Sequence, residues 1–196
     1  MRSLAVTMKL ASLALFAITM TPMFGQLPED LKRQFDEAEQ RIVRLPPTAF
    51  PELPRKVVRE LQRRGCSIPQ EAFTKKPNNV IKGQFARPGE LDWAVLCSIK
   101  GVSTILVFWN GSDKNLAAIA PFEDRIFLQG ITDDKIGYSR AITPVGKDFI
   151  VLYAQASAEP TPPLINHQGI DDAFVEKGSS TWYFYDRNWL KLAGSD

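Results

Sequence analysis

Residues 79–111 read NVIKGQFARPGELDWAVLCSIKGVSTILVFWNG. Three runs in this stretch, 80–85, 92–98 and 102–109, are rich in β-branched and aromatic residues and are separated by turn-forming residues, so we predict three consecutive strands. The third run ends at Asn110-Gly111, a pair that tolerates the positive φ angles of a type I′ turn. The stretch therefore predicts a β-meander at the centre of the fold.

The middle strand of this meander is apolar on both sides. Because successive side chains of a strand point to opposite faces, Trp93, Val95 and Cys97 share one face, and Ala94 and Leu96 share the other. Both faces should therefore be covered by other parts of the chain. This pattern specifies a core and gives no chemistry.

The N-terminus has the pattern of a signal peptide. Arg2 and Lys9 precede an apolar run over 10–20, which small and helix-breaking residues follow. The run has about 11 residues, whereas a bilayer span needs roughly 20, so a retained anchor is the weaker alternative. We predict a signal peptide over residues 1–25, a periplasmic or secreted location, and no membrane span in the mature chain.

The charge of the chain argues against nucleic acid as a partner. Without Arg2 and Lys9, the 24 basic residues become 22, which equals the 22 acidic residues. A neutral chain with no long basic stripe lacks the clustered cations that bind phosphate backbones. The length of the remaining chain fits a single domain over 26–196.

The chain contains two cysteines, Cys66 and Cys97. In an exported protein, two cysteines predict one disulfide. The alternative is a pair of buried free thiols.

Two helices are predicted before the meander. The first begins near Pro28 and has an apolar stripe at helical spacing, formed by Leu31, Phe35, Ala38 and Ile42. The second covers 54–64, and its outer face is basic. That face is either a docking surface for an anionic partner or an ordinary solvated face, and it carries Arg55, Lys56, Arg59, Arg63 and Arg64.

The chain after the meander predicts a continuation of the sheet. Short apolar runs suggest strands over 116–119, 125–128, 138–143 and 149–153, then a loop over 156–169 and a short helix that Asp171 caps. A terminal hairpin follows over 181–192. The sequence thus predicts an α+β fold, with two N-terminal helices packed on a mostly antiparallel β-sheet of roughly six to eight strands and one disulfide.

The predicted loop and helix carry the first group of candidate ligand-binding residues, His167, Asp171, Asp172 and Glu176. Imidazole and carboxylates are the groups that zinc or manganese binds, and Asp172 and Glu176 would share a helix face at i, i+4. The spacing matches no strong metal motif, so we assign no metal site and no cofactor. In the alternative, Asp171 only caps the helix, Asp172 and Glu176 face water, and His167 bonds a loop carbonyl.

The terminal hairpin carries the second group, Tyr183 and Tyr185, which share one face of a strand. If that face is open, the two rings form an amphipathic platform that can stack on a sugar ring or pack against a peptide. In the alternative, a helix or loop covers the face.

The sequence contains no Gly-x-Ser-x-Gly elbow, no Gly-rich phosphate loop and no His-Glu-x-x-His motif. We therefore expect a non-enzymatic extracytoplasmic binding or interaction module that uses the surface of the 156–177 segment and the terminal hairpin. Its ligand would be a protein, peptide or glycan of the envelope or the extracellular space. The alternative is a hydrolase or metal-dependent enzyme that uses His167 and the nearby carboxylates.

Two resemblances accompany this interpretation. Gly83, Phe85, Gly89 and the run Asp92-Trp-Ala-Val-Leu96 resemble one hairpin of the FG-GAP or VCBS repeat. In that family the loop is a calcium site rich in Asp and Asn, whereas here only Asp92 matches an acidic position, so the resemblance implies the hairpin shape without calcium.

Four further segments resemble an uncharacterised family of bacterial secreted proteins with no assigned activity: Cys66-Ser-Ile-Pro-Gln70, Asp92-Trp-Ala-Val-Leu-Cys97, Ile105-Leu-Val-Phe-Trp109 and His167-Gln-Gly-Ile-Asp-Asp-Ala-Phe-Val-Glu-Lys177. This resemblance implies export from a bacterial cell.

Overall fold

A computed structural model describes residues 28–132, 135–156, 163 and 165–193. The predicted signal peptide and part of the predicted 156–169 loop lie outside these residues. The helices are α1 (Glu29–Gln40), α2 (Arg55–Arg63) and α3 (Lys147–Ala156). The strands are β1 (Arg44–Leu45), β2 (Ile68–Pro69), β3 (Val80–Gly83), β4 (Asp92–Ile99), β5 (Val102–Phe108), β6 (Ala117–Glu123), β7 (Leu128–Thr132), β8 (Lys135–Tyr138), β9 (Arg140–Val145), β10 (Gly169–Phe174), β11 (Gly178–Tyr185) and β12 (Asn188–Ala193).

The mixed α+β class and the antiparallel pairing are confirmed, but the strands do not form the single sheet that we predicted. In the described residues, β3–β6 form one four-stranded sheet in the order β3-β4-β5-β6, and β9–β12 form a second in the order β12-β11-β10-β9. The pairs β1-β2 and β7-β8 form two small separate sheets. Every strand pairing in the described part of the chain is antiparallel.

The predicted meander is confirmed as β3, β4 and β5, and both faces of β4 are buried as expected. Trp93, Val95 and Cys97 lie in one apolar cluster, and Ala94 and Leu96 lie in another. At the end of β5, Asn110 and Gly111 have φ angles of 49° and 60°. The backbone N–H of Ser112 closes this turn on the carbonyl of Trp109 at 2.8 Å.

The two N-terminal helices contribute to different apolar clusters. Ala38 of α1 lies in the cluster that contains Leu96. Val57 and Leu61 of α2 lie in the opposite cluster with Cys97. The predicted packing of the two N-terminal helices on a single β-sheet is therefore not confirmed.

The predicted disulfide joins Cys66, just after α2, to Cys97 of β4, with the two Cα atoms 5.4 Å apart. It fixes the C-terminal end of α2 to a strand with two buried faces. No helix in the described part of the chain is long and apolar enough to cross a membrane.

Two elements after the meander differ from the prediction. Residues 149–153, predicted as a strand, belong to helix α3, because Ile150 and Ala154 at i, i+4 pack against Tyr183. The predicted helix around Asp171 is strand β10, which pairs with β9 on one side and with β11 on the other. Two full ladders of backbone hydrogen bonds hold this segment extended, so Asp171 caps no helix.

The 124–143 region is also divided differently from the prediction. The run 125–128 lies mostly in a 3-10 turn before β7. The run 138–143 is split between β8 and β9 at Ser139, whose backbone N–H donates to the carbonyl of Phe127 at 2.9 Å.

Candidate functional site

The structure separates the four residues of the first predicted site. On β10, Asp172 points into the core while its neighbour Asp171 is half-buried on the other face. Glu176 is exposed in the turn after β10, so it does not share a helix face with Asp172. The Nδ1 atom of the half-buried His167 lies 2.9 Å from the carbonyl oxygen of Gln168, which fits the alternative of a bond to a loop carbonyl.

Asp172 is paired with a buried arginine. The Nε and Nη2 atoms of Arg140 donate to its two carboxylate oxygens, each at 2.8 Å. Arg140 is fully buried and also donates to the carbonyl of Ser103 at 2.9 Å and to that of Ala120 at 2.7 Å. Because Asp172 lies in the second sheet and Ser103 and Ala120 lie in the first, this network joins the two sheets. It was not predicted, and it engages both carboxylate oxygens of Asp172.

Asp171 has a perturbed carboxyl group. Burial raises its pKa, and the hydroxyls of Ser179 and Thr181 act in the opposite direction by hydrogen bonding. The oxygen of Thr181 lies 3.4 Å from the Asp171 carboxylate. In the described residues, no three His, Cys, Asp or Glu side chains lie together in a group that could hold a metal ion.

The predicted tyrosine platform is only half present. Tyr183 is 3% exposed and packs against Ile150 and Ala154 of α3. Helix α3 therefore covers the face at this position, as in the alternative. Tyr185 is 43% exposed. Since only one ring of the pair is accessible, Tyr183 and Tyr185 do not form an open face.

The basic face of α2 is partly neutralised. Glu60 bonds Arg63 and Arg64, each at 2.7 Å, and these hydrogen bonds lower the pKa of Glu60 to about 2. This ion-pair cluster on the helix surface favours the interpretation of a solvated face.

A cleft that the sequence did not indicate lies on another side of the molecule. It has a volume of about 640 Å³ and lies between the C-terminal end of α1, residues 42–45, the loop 70–77 and the β7-β8 hairpin. This volume is in the range of small-molecule sites. The walls are mainly apolar and are formed in part by Ala38, Ile42, Val43, Leu45, Ile131 and Ile136.

Hydrogen bonds hold the 70–78 loop in place as one wall of the cleft. Its ends are joined because Gln70 and Asn78 bond each other: the N–H of Asn78 donates to Oε1 of Gln70 at 2.8 Å, and Nε2 of Gln70 donates to the carbonyl of Asn78 at 3.2 Å. The backbone N–H of Gln70 donates to the carbonyl of Val43 at 2.9 Å, and that of Ala72 donates to the carbonyl of Tyr138 at 2.8 Å. The loop is thus fixed to both neighbouring walls.

The cleft is basic at its edge. Its lining includes Arg41, Lys75 and Lys76, whose side chains are exposed. Glu71 is the one acid among the described lining residues, and its Oε2 atom accepts the N–H of Phe73 at 2.8 Å. Tyr138 also lines the cleft, but its hydroxyl lies in the core, 3.3 Å from that of Ser103. The described lining thus combines exposed positive charge with apolar side chains.

No family model, curated protein or solved structure matches the chain. The resemblance to a secreted bacterial family therefore stays a prediction.

No single stretch of the sequence marks this site. Its walls come from the end of an amphipathic helix, a loop about 30 residues later and a hairpin about 90 residues later, a spacing that only the folded chain reveals. The local signal that was available is the segment Thr74-Lys-Lys-Pro77, two adjacent cations before a proline in a loop.

Proposed function

We propose that this protein is an exported, non-enzymatic binding module that holds a small apolar ligand in the cleft between α1, the 70–78 loop and the β7-β8 hairpin. The observation that carries the proposal is the fixed position of the loop, since Gln70 and Ala72 bond the two walls on either side of it. A cleft with walls already in place loses little conformational entropy when a ligand binds.

Two further features support binding over catalysis and export over retention. The His167 ring and the nearby carboxylates that we considered for hydrolysis lie apart, and Asp172 is engaged by Arg140.

The disulfide between Cys66 and Cys97 is of the kind that persists in an oxidising compartment, and the N-terminal sequence has the pattern of a signal peptide. Export is tested by N-terminal sequencing of the protein from the periplasm and the medium of a bacterial host; a retained Met1 would contradict it.

The binding test uses N-phenyl-1-naphthylamine, a neutral apolar dye that fluoresces in apolar sites. Val43 lines the cleft and is 61% exposed, whereas Leu91 is 49% exposed and lies away from the cleft. We expect Val43→Asp to weaken dye binding about tenfold, because the new carboxylate must lose water against an apolar ligand. Leu91→Asp is the matched control and should bind the dye like the unmodified protein.

Amide chemical shifts measured during the same titration would locate the dye. The proposal requires the largest shifts at residues of the cleft, such as Val43, Ala72 and Gly137. Absence of dye binding, or equal effects of the two substitutions, would contradict it.

A further inference from the structure

We infer that the ligand of the cleft is an anionic amphiphile with a single apolar chain, of the type of a medium-chain or long-chain carboxylate. This inference rests on the proposed function and adds the chemical class of the ligand. Two independent features of the cleft determine it: the charges at its edge and the chemistry of its interior.

The edge of the cleft selects for negative charge. Among the described lining residues, Arg41, Lys75 and Lys76 contribute three cations and Glu71 contributes one acid. The Glu71 side chain is buried and already accepts the N–H of Phe73. The Arg41 guanidinium lies 3.8 Å from the exposed Glu37 carboxylate, a weak contact that a ligand anion can replace.

The interior of the cleft selects for an apolar chain. Ile42, Ile131 and Ile136 offer only hydrocarbon, and the Tyr138 hydroxyl is engaged with Ser103 in the core. A sugar or a polar peptide would lose hydrogen bonds to water there without replacement, whereas an alkyl chain loses none. A ligand with its charge at one end satisfies both regions simultaneously.

The positions of Lys75 and Lys76 suit a head group that stays partly in water. Both lysines are exposed and lie in the same loop, next to Thr74 and Pro77, which also line the cleft. A carboxylate held there keeps part of its hydration, so its binding does not carry the large cost of a fully buried charge. Attraction by exposed cations should also depend on salt.

The test measures displacement of bound N-phenyl-1-naphthylamine from the full chain by dodecanoate and by dodecanol, both below their aggregation concentrations. We expect dodecanoate to bind about tenfold or more tightly than dodecanol at 20 mM salt, and this preference should shrink at 500 mM salt. The double substitution Lys75→Glu/Lys76→Glu should remove the preference for dodecanoate. Lys32→Glu/Lys114→Glu, two exposed lysines outside the cleft, makes the same change in net charge and should preserve it.

The outcomes separate this inference from the proposed function. If the dye binds in the cleft but dodecanoate and dodecanol displace it equally, the binding function stands and the anionic class is wrong. If the protein binds intact anionic vesicles while monomeric dodecanoate displaces no dye, the edge of the cleft contacts a membrane surface and the inference is also wrong. If no dye binds, the proposed function itself fails.

Discussion

The guanidinium of Arg140 lies against the carboxylate of Asp172, with two N–H groups each 2.8 Å from one carboxylate oxygen and with both side chains buried. Arg140 also lies over the rings of Phe122 and Phe127, at 5.2 and 4.8 Å from the ring centroids. Because the same guanidinium donates to the carbonyls of Ser103 and Ala120, one side chain links the two four-stranded sheets.

The first prediction concerns the stability of this pair. Asp172→Ala leaves a buried guanidinium without its counter-ion, so we expect the free energy of unfolding to fall by about 3–5 kcal/mol. Urea denaturation monitored by tryptophan fluorescence measures this loss. Asp113→Ala, at an exposed position, is the control and should change stability by less than about 0.5 kcal/mol. Similar stabilities of the two variants would show that the ion pair is not needed to join the sheets.

A second prediction concerns Asn79, a buried residue with a φ angle of 68°. Its Nδ2 atom donates to the carbonyls of Pro69 at 2.7 Å and Arg140 at 3.0 Å, and its Oδ1 accepts the N–H of Ile142 at 3.0 Å. Asn79→Ala should cost about 4 kcal/mol, since three hydrogen bonds are lost at roughly 1 kcal/mol each and alanine is strained at this positive φ by about 1 kcal/mol.

The comparison with Asn79→Gly separates the side chain from the backbone. Glycine adopts positive φ without strain, so this variant should be more stable than Asn79→Ala by about 1 kcal/mol. Equal urea midpoints for the two variants would mean that the backbone at this position relaxes.

The elements that the sequence predicted correctly are those with a local signal. The run of β-branched and aromatic residues over 92–98 and the flanking turn residues define β4, and a chain with two cysteines has one possible intramolecular disulfide. In contrast, the run Phe149–Tyr153 is continuously apolar, and such a run does not distinguish a strand from a helix. Contacts with Tyr183, about 30 residues later, decide for the helix.

The sequence did not predict the surroundings of Asp172 for a related reason. Asp171-Asp172 is typical of a helix N-terminus, but the partner that decides the position of Asp172 is Arg140, 32 residues earlier, and the spacing gives no sign of it. The cleft is likewise assembled from segments that are distant along the chain, so its apolar walls appear in the sequence only as parts of separate elements.

A third prediction concerns the pH dependence of stability through Asp171. Burial raises the pKa of this carboxyl in the folded state above the unfolded value of about 3.9, so the folded state binds more protons between the two values. Stability should therefore fall as the pH rises through this interval, and the loss should persist at pH 7. Asp171→Asn should raise the urea midpoint at pH 7 and have little effect at pH 3, where both states are protonated.

The control for this comparison is Asp113→Asn, which changes an exposed acid. It should move the midpoint little at either pH. A stabilisation by Asp171→Asn that is the same at pH 3 and pH 7 would show that packing, and not ionisation, is responsible.

The last prediction tests whether the cleft depends on the fixed position of its loop. It compares substitutions of two glycines in the β7-β8 hairpin. A Cβ atom at Gly137 would lie 2.9 Å from the Cβ of Ala72 in the loop and 2.9 Å from Cδ1 of Ile131. The end of Ile131 can rotate away, but the Cβ of Ala72 moves only with the backbone that bonds Tyr138. Gly137→Ala should therefore displace the loop, cost about 1–3 kcal/mol and weaken dye binding in the cleft.

Gly130 in the adjacent strand is the matched control, because a Cβ atom there would meet nothing within 4 Å. Gly130→Ala should leave dye binding unchanged and increase stability by up to about 1 kcal/mol, since alanine loses less conformational entropy than glycine in a strand. If Gly137→Ala lowers stability while the dye affinity stays the same, the position of the loop does not determine binding. If both properties fall together, the close packing of the loop against Gly137 contributes to dye binding.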